Sequence, residues 1–292
     1  MKTPLASHSR SIIYLALLGV LAVPFFVPWS LPSFRSPETE GLFEFIENRD
    51  PTDGVILLMS DWGPGTKGEN EPQFRAVVRH LLRKKARFVV MTVMSDPVGM
   101  YYAHDIVRDL AETHADGFRY GTDWVNLGMK TKGERGGDSV VPLFQAFAHD
   151  VHAFAPTDIE GRSVADFPIM QSLKTIADVD LVIEISAGEL EALDWMGAIQ
   201  PQHPHLALGL GTMSIVATKM LPYFKSGQMV GLLDGSRGAD EYIQFLREGR
   251  DIEPEDERRK NGLTAARVFV IFLIVIGNGV EWRRRRREVA RG

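Results

Sequence analysis

Gly54-Val-Ile-Leu-Leu-Met-Ser60 and Arg87-Phe-Val-Val-Met-Thr-Val93 are short apolar runs that read as buried strands. Between them Phe74, Val77, Val78, Leu81 and Leu82 recur at i, i+3, i+4, i+7 and i+8, which predicts a helix from Gln73 to Lys85 with one apolar face. This strand–helix–strand unit sets the pattern for the rest. Asp96-Pro97 opens a helix to about Thr113, with Asp as N-cap and Pro at the first helical position. Trp124 to Met129 reads as a short strand and Val140 to Phe154 as a helix. Asp180-Leu-Val-Ile-Glu-Ile185 is a strand followed by a helix over Gly188 to Gly197. Leu206 to Leu210 is a strand leading into a helix from about Met213. Gln228-Met-Val-Gly-Leu-Leu233 is the last strand, and a helix follows from Ala239 to Glu248. Such alternation predicts an α/β fold, a mainly parallel sheet flanked by helices in a Rossmann-like three-layer arrangement. Lys130 to Gly137, rich in Gly and Lys, reads as an exposed loop.

The ends of the chain have a different character. From Ser11 to Phe34 there is no charged side chain, and Lys2 and Arg10 precede this run. Pro24, Pro28 and Trp29 mark its outer limit. It reads as an uncleaved transmembrane anchor. The alternative is a signal peptide cleaved near Val20-Leu21-Ala22. Near the other end Val268 to Val280 is free of charge, and extending it back to Leu263 gives a span if Arg267 snorkels to the interface. Trp282 then sits at the interface, and Arg283 to Arg287 follow on the cytoplasmic side. A buried core helix is the alternative, but a core helix has no use for five flanking arginines. The expected organisation is a cytoplasmic tail over residues 1–11, a transmembrane helix over 12–29 and a linker over 30–53. An extracytoplasmic α/β domain follows over 54–250, then an acidic and basic linker over 251–262. A second transmembrane helix over 263–280 and an Arg-rich cytoplasmic tail over 281–292 complete it. Both termini are then cytoplasmic, and the bilayer is a partner by construction.

Composition narrows the chemistry. The 292 residues are 45% hydrophobic and 24% charged, which excludes a disordered or collagen-like chain. There is no cysteine, so there is no thiol nucleophile, Fe–S cluster or Cys-ligated zinc. The net charge of −5 is spread unevenly, because residues 281–292 hold six Arg against two Glu. An acidic body with a compact basic tail does not suit a nucleic-acid binder, whose basic residues spread over a folded face. Gly63-Pro-Gly65-Thr-Lys67-Gly68 stands where a phosphate loop would, yet matches neither a Walker A motif nor G-x-G-x-x-G. Gly161-Arg-Ser163-Val-Ala165 is no nucleophile elbow, since no apolar strand precedes it. His149 and His152 lie three apart on an expected helix without a third local ligand, and His203-Pro-His205 lies in a loop. Both pairs read as surface residues, so no metal and no cofactor is expected. Glu189, Glu191 and Asp194 suit the positive end of a helix.

The segment Tyr223 to Tyr242, with Pro156-Thr-Asp158 and the stretch Asp178 to Glu191, resembles a family of prokaryotic membrane-anchored α/β proteins without an assigned activity. The resemblance spans about residues 54 to 245 and implies a membrane-anchored α/β domain. It implies no catalytic residue. The function expected is a membrane-anchored extracytoplasmic binding or scaffold protein within a membrane complex, with other membrane proteins as partners. The alternative is a membrane-bound hydrolase or transferase.

A ligand of an open parallel sheet collects at the carboxyl ends of the strands. In this chain those ends carry Ser60 and Asp61, Ser95 and Asp96, Ser186, Thr212, and Asp234 with Ser236. Hydroxyls and carboxylates placed so could bind a small polar ligand or, through Asp61, Asp96 and Asp234, a hard cation. The same residue types are also preferred helix N-caps, and each directly precedes an expected helix or loop.

Overall fold

The computed structural model describes residues 35–50, 54–93, 97–114, 117–131 and 139–247, with isolated positions at 19, 269–270 and 273–274. Apart from those isolated positions, the expected spans over 12–29 and 263–280 lie outside the described residues, as do Ser95, Asp96 and residues 132–137 of the expected loop. Among the described residues no helix is long and apolar enough to cross a membrane.

The six strands among the described residues are β1 (Val55–Asp61), β2 (Phe88–Thr92), β3 (Trp124–Met129), β4 (Val179–Ser186), β5 (Ala207–Thr212) and β6 (Gly231–Asp234). They form one sheet in the order β3-β2-β1-β4-β5-β6, and every neighbouring pair is parallel. The order reverses between β1 and β4. In a sheet of this kind a ligand crevice opens at such a switch point, outside the carboxyl ends of the strands.

Alternation along each strand sends side chains to two helical layers. On one face Leu57, Met59, Val89, Met91, Val125, Val182, Leu208 and Leu210 pack with Phe144, Phe147, Trp195 and Met220. These come from α4 (Val141–His149), from α7 (Leu190–Asp194) with its π turn Trp195–Ile199, and from α8 (Ser214–Lys225). The Phe144 and Trp195 rings stack at 4.0 Å between centroids. The other face is covered by α1 (Pro37–Glu47), α2 (Lys67–Lys84), α3 (Val98–His114) and α9 (Gly235–Arg247).

Three elements depart from the sequence reading. Residues expected as a linker include the helix α1, whose Leu42 and Ile46 are fully buried. Burying each stabilises by about 1.5–3 kcal/mol. Ser36 precedes Pro37 with extended backbone, and its N–H and Oγ both donate to Glu241 of α9. The helix α2 begins at Lys67, ahead of Pro72, because tertiary hydrogen bonds from Glu69 and Asn70 hold its first turn. The single helix expected over Val140 to Phe154 is two, α4 and α5 (Val151–Phe154), and the short α6 (Pro168–Gln171) follows them. Asp150 between them is extended and its Oδ1 accepts Ala153 N–H at 3.0 Å, so it caps a new helix. His149 and His152 therefore do not form a pair on one helix, and His152 Nε2 lies 2.8 Å from the Met170 carbonyl oxygen.

Candidate functional site

The sheet register builds a polar row at its carboxyl edge. Asp61 is the Cα partner of Ser186, Ser186 of Thr212, and Thr212 of Asp234. Four of the residues expected at strand exits thus stand side by side across β1, β4, β5 and β6, and alternation gives them the Trp195 face. Ser60 belongs to the other face, where its Oγ lies 3.4 Å from the Gly99 carbonyl oxygen. Ser236 is half-buried in the first turn of α9.

Capping does not account for Asp61, Ser186 or Thr212. The helices after β1, β4 and β5 have Thr66, Glu189 and Met213 as N-caps. Asp61 instead accepts the Val93 N–H at 2.7 Å, tying the end of β1 to the chain leaving β2. Ser186 Oγ accepts Gly188 N–H at 3.0 Å and donates to Glu191 Oε2 at 3.0 Å. Asp234 Oδ2 takes an Arg237 guanidinium at 2.7 Å.

Glu184 lies one step down the same face. Its register partner on β1 is Met59, so it stands diagonally beside Asp61. The side chain is fully buried, and no group donates a hydrogen bond to either carboxyl oxygen. Burial pushes its pKa well above the usual carboxylate range, and the Asp61 and Glu191 charges push it further the same way. A protonated Glu184 can donate a hydrogen bond to Asp61. An ionisable residue in the apolar run Leu181 to Ile185 is itself a sequence signal for this site.

From the opposite layer, α2 reaches the same edge. Glu69 Oε2 accepts Ser214 N–H at 2.9 Å, at the start of α8. Asn70 Nδ2 donates to the Ser186 carbonyl at 3.0 Å. Gln73 Nε2 donates to the carbonyls of Thr212 at 2.9 Å and Gly235 at 2.8 Å. One helix face thereby stitches the exits of β4, β5 and β6 together. The remaining oxygens, Asn70 Oδ1 and Gln73 Oε1, are buried and receive no donor.

The acids Glu189 and Asp194 have structural partners. Glu189 pairs with Lys219 at 2.9 Å, and Asp194 accepts Ser139 Oγ at 3.0 Å and Val140 N–H at 2.8 Å. The rings of His203 and His205 meet edge to face at 6.0 Å. Among the described residues no group of three or more His, Asp or Glu side chains could hold a metal ion. Asp61 and Glu69 flank the β1–α2 turn, with Lys67 between them. No protein-family model matches this chain, and no curated protein is significantly similar to it.

Proposed function

We propose that this chain is a membrane-anchored extracytoplasmic α/β domain that binds a small polar ligand at the carboxyl edge of its sheet, as a component of a membrane assembly. The observation that carries the binding reading is Glu184, a fully buried carboxyl without a donor, placed beside Asp61 at the switch point. An uncompensated buried acid destabilises a fold, and such groups cluster at functional sites. The anchoring rests on the charge-free run Ser11 to Phe34 and on the run Val268 to Val280 with its arginines.

The binding reading is tested by thermal shift on the full chain in mild detergent against amines, amino acids, sugars and nucleotides. At least one class is expected to raise the melting temperature of the native protein and not that of Asp61→Asn. If no class does so, the edge is structural and the reading fails. The anchoring is tested on intact spheroplasts: added protease should cut between Lys130 and Gly137, and alkaline carbonate should leave the chain in the membrane. Protection of that segment, or release by carbonate, overturns it.

A second reading has one specific observation in its favour. A carboxyl whose pKa is raised, as that of Glu184 is by burial and by its neighbour Asp61, can serve as an acid beside a second carboxyl, as hydrolases and transferases require. Turnover of a generic ester or phosphate substrate, abolished by Asp61→Asn, would replace the binding reading with this one.

A further inference from the structure

We propose that the domain rests on the bilayer through the basic end of α2, with Arg83, Lys84 and Lys85 against anionic phospholipid headgroups. The carboxyl edge of the sheet then faces away from the membrane. The proposal rests on the anchoring reading above and names the surface that meets the lipid.

Chain length decides which side is near. Residues 30–34 alone separate the expected span from Arg35, where the described domain begins. Five residues reach about 18 Å when fully extended. The Arg35 guanidinium lies 5.5 Å from the centre of the Phe245 ring, and Phe245 is in the last turn of α9, which ends at Arg247. The chain therefore leaves the described domain beside the place where it enters. A domain tied to a bilayer at both ends turns that side toward it.

The end of α2 is on the same side. Phe43 of α1 packs on Phe245 at 5.3 Å between ring centroids, and the Arg83 guanidinium lies 5.6 Å from the centre of the Phe43 ring. Helices α2 and α9 run in one direction, since Gln73 meets Gly235 and His80 meets Tyr242. Their ends are therefore level, at the amino edge of the sheet, where Arg87 leads into β2.

Charge identifies what this side meets. From Pro72 to Ser95 the chain holds six basic residues and no acid, within a protein of net charge −5. One carboxylate, that of Glu47, serves both Arg83 and Lys84. Arg87 donates to the Ser172 hydroxyl at 3.0 Å, and exposed Lys85 has no acid partner among the described residues. Positive charge is left over here. Glu44 of α1 lies apart, lining a hollow with Asn48, Asp180 and Val230. At the carboxyl edge the balance is reversed. Lys67, Lys219 and Arg237 each pair with an acid, Glu71, Glu189 and Asp234, while Glu69 and Glu191 take neutral donors. An anionic surface attracts the first side and repels the second.

One consequence bears on the candidate site. With the amino edge on the lipid, the crevice beside Glu184 opens toward solution, where a polar ligand can reach it.

The chain has no cysteine, so a single introduced cysteine carries a fluorophore to one place. The test uses the full chain in nanodiscs of phosphatidylcholine with or without phosphatidylglycerol, with a nitroxide quencher on the lipid headgroups. The fluorophore stands at Lys85→Cys or at Ile215→Cys, the latter position being 73% exposed in the first turn of α8 at the carboxyl edge. Quenching is expected at Lys85→Cys and not at Ile215→Cys. It should be stronger with phosphatidylglycerol, and high salt should remove the difference. Adding Lys84→Gln should weaken the contact about fivefold, with the circular dichroism of the domain unchanged. Equal quenching at the two positions, or none at either, overturns the proposal, as does quenching at Lys85→Cys that anionic lipid leaves unaltered. In a chain that alkaline carbonate leaves in the membrane, those results keep the anchoring and remove this face. Release by carbonate removes both.

Discussion

Leu42 fills the space that a side chain at Gly231 would need. A Cβ on Gly231 would lie 2.4 Å from both the backbone nitrogen and the Cβ of Leu42, and 2.7 Å from its Cα. The glycine is thus what lets α1 lie against β6. Gly231→Ala should force the helix off the strand and lower stability by about 1–3 kcal/mol, read by denaturant unfolding. Unchanged stability would show that α1 is not packed as described.

His80 is a buried polar joint between three helices. Its Nδ1 is 2.7 Å from the Tyr242 hydroxyl and its Nε2 is 2.8 Å from Glu47 Oε2. The neutral ring with a proton on Nε2 satisfies both, donating to Glu47 and accepting from Tyr242. Burial depresses its pKa from 6.5 to about 4, outweighing the opposite pull of Glu47. A histidine held neutral stabilises fully above its unfolded value, and that contribution is lost as pH falls from 6.5 toward 4. The loss is on the order of 3 kcal/mol. Unfolding curves at several pH values should show this decline in the native protein and a shallower one in His80→Gln. An imidazole proton resonance titrating near the ordinary value would overturn the neutral assignment.

How far the site is legible in the sequence depends on which residues carry it. The row Asp61, Ser186, Thr212 and Asp234 follows from where the apolar runs end, because strand exits in a parallel sheet share one edge. Which face a residue takes needs parity within the strand: Ser60 and Asp61 are adjacent in sequence and serve opposite layers. Glu184 lies inside a strand and is hidden by its apolar neighbours. Glu191 looks like a complement to a helix dipole, and only the fold brings it to Ser186. Asn70 and Gln73 are obscured by Pro72, which makes the helix seem to start later than it does. The strands themselves are plain, since β-branched and apolar runs leave little choice. Helix α1 is not plain, because its apolar residues are few and interleaved with Glu38, Glu40, Glu44 and Glu47.

Gln73 gives a direct measure of how much the α2 stitching contributes. Gln73→Leu keeps the size of the side chain and removes the donor, leaving the carbonyls of Thr212 and Gly235 without it. The expected loss is about 1–3 kcal/mol. Gln73→Glu should lose more, because a carboxylate is acceptor-only and would face carbonyl oxygens. Equal effects of the two variants would mean that packing, and not the hydrogen bonds, holds the helix there.

Glu184 predicts the opposite kind of result, a substitution that strengthens the fold. Its folded pKa is raised by burial first and by the Asp61 and Glu191 charges next. An acid of that kind contributes its full stability below its unfolded value of 4.5, and the contribution is lost as pH rises toward the folded value. At neutral pH the native protein therefore bears a penalty, whether the group keeps its proton against solution or ionises inside the fold. Glu184→Gln removes the titration and supplies an amide donor toward Asp61 in its place. It should raise the melting temperature at neutral pH by several degrees, about 2–4 °C for each kcal/mol recovered. The gain should shrink as pH falls and vanish below 4.5, where the native carboxyl is protonated in both states. A melting temperature that drops by the same amount at every pH would mean that Glu184 contributes by shape and not by charge.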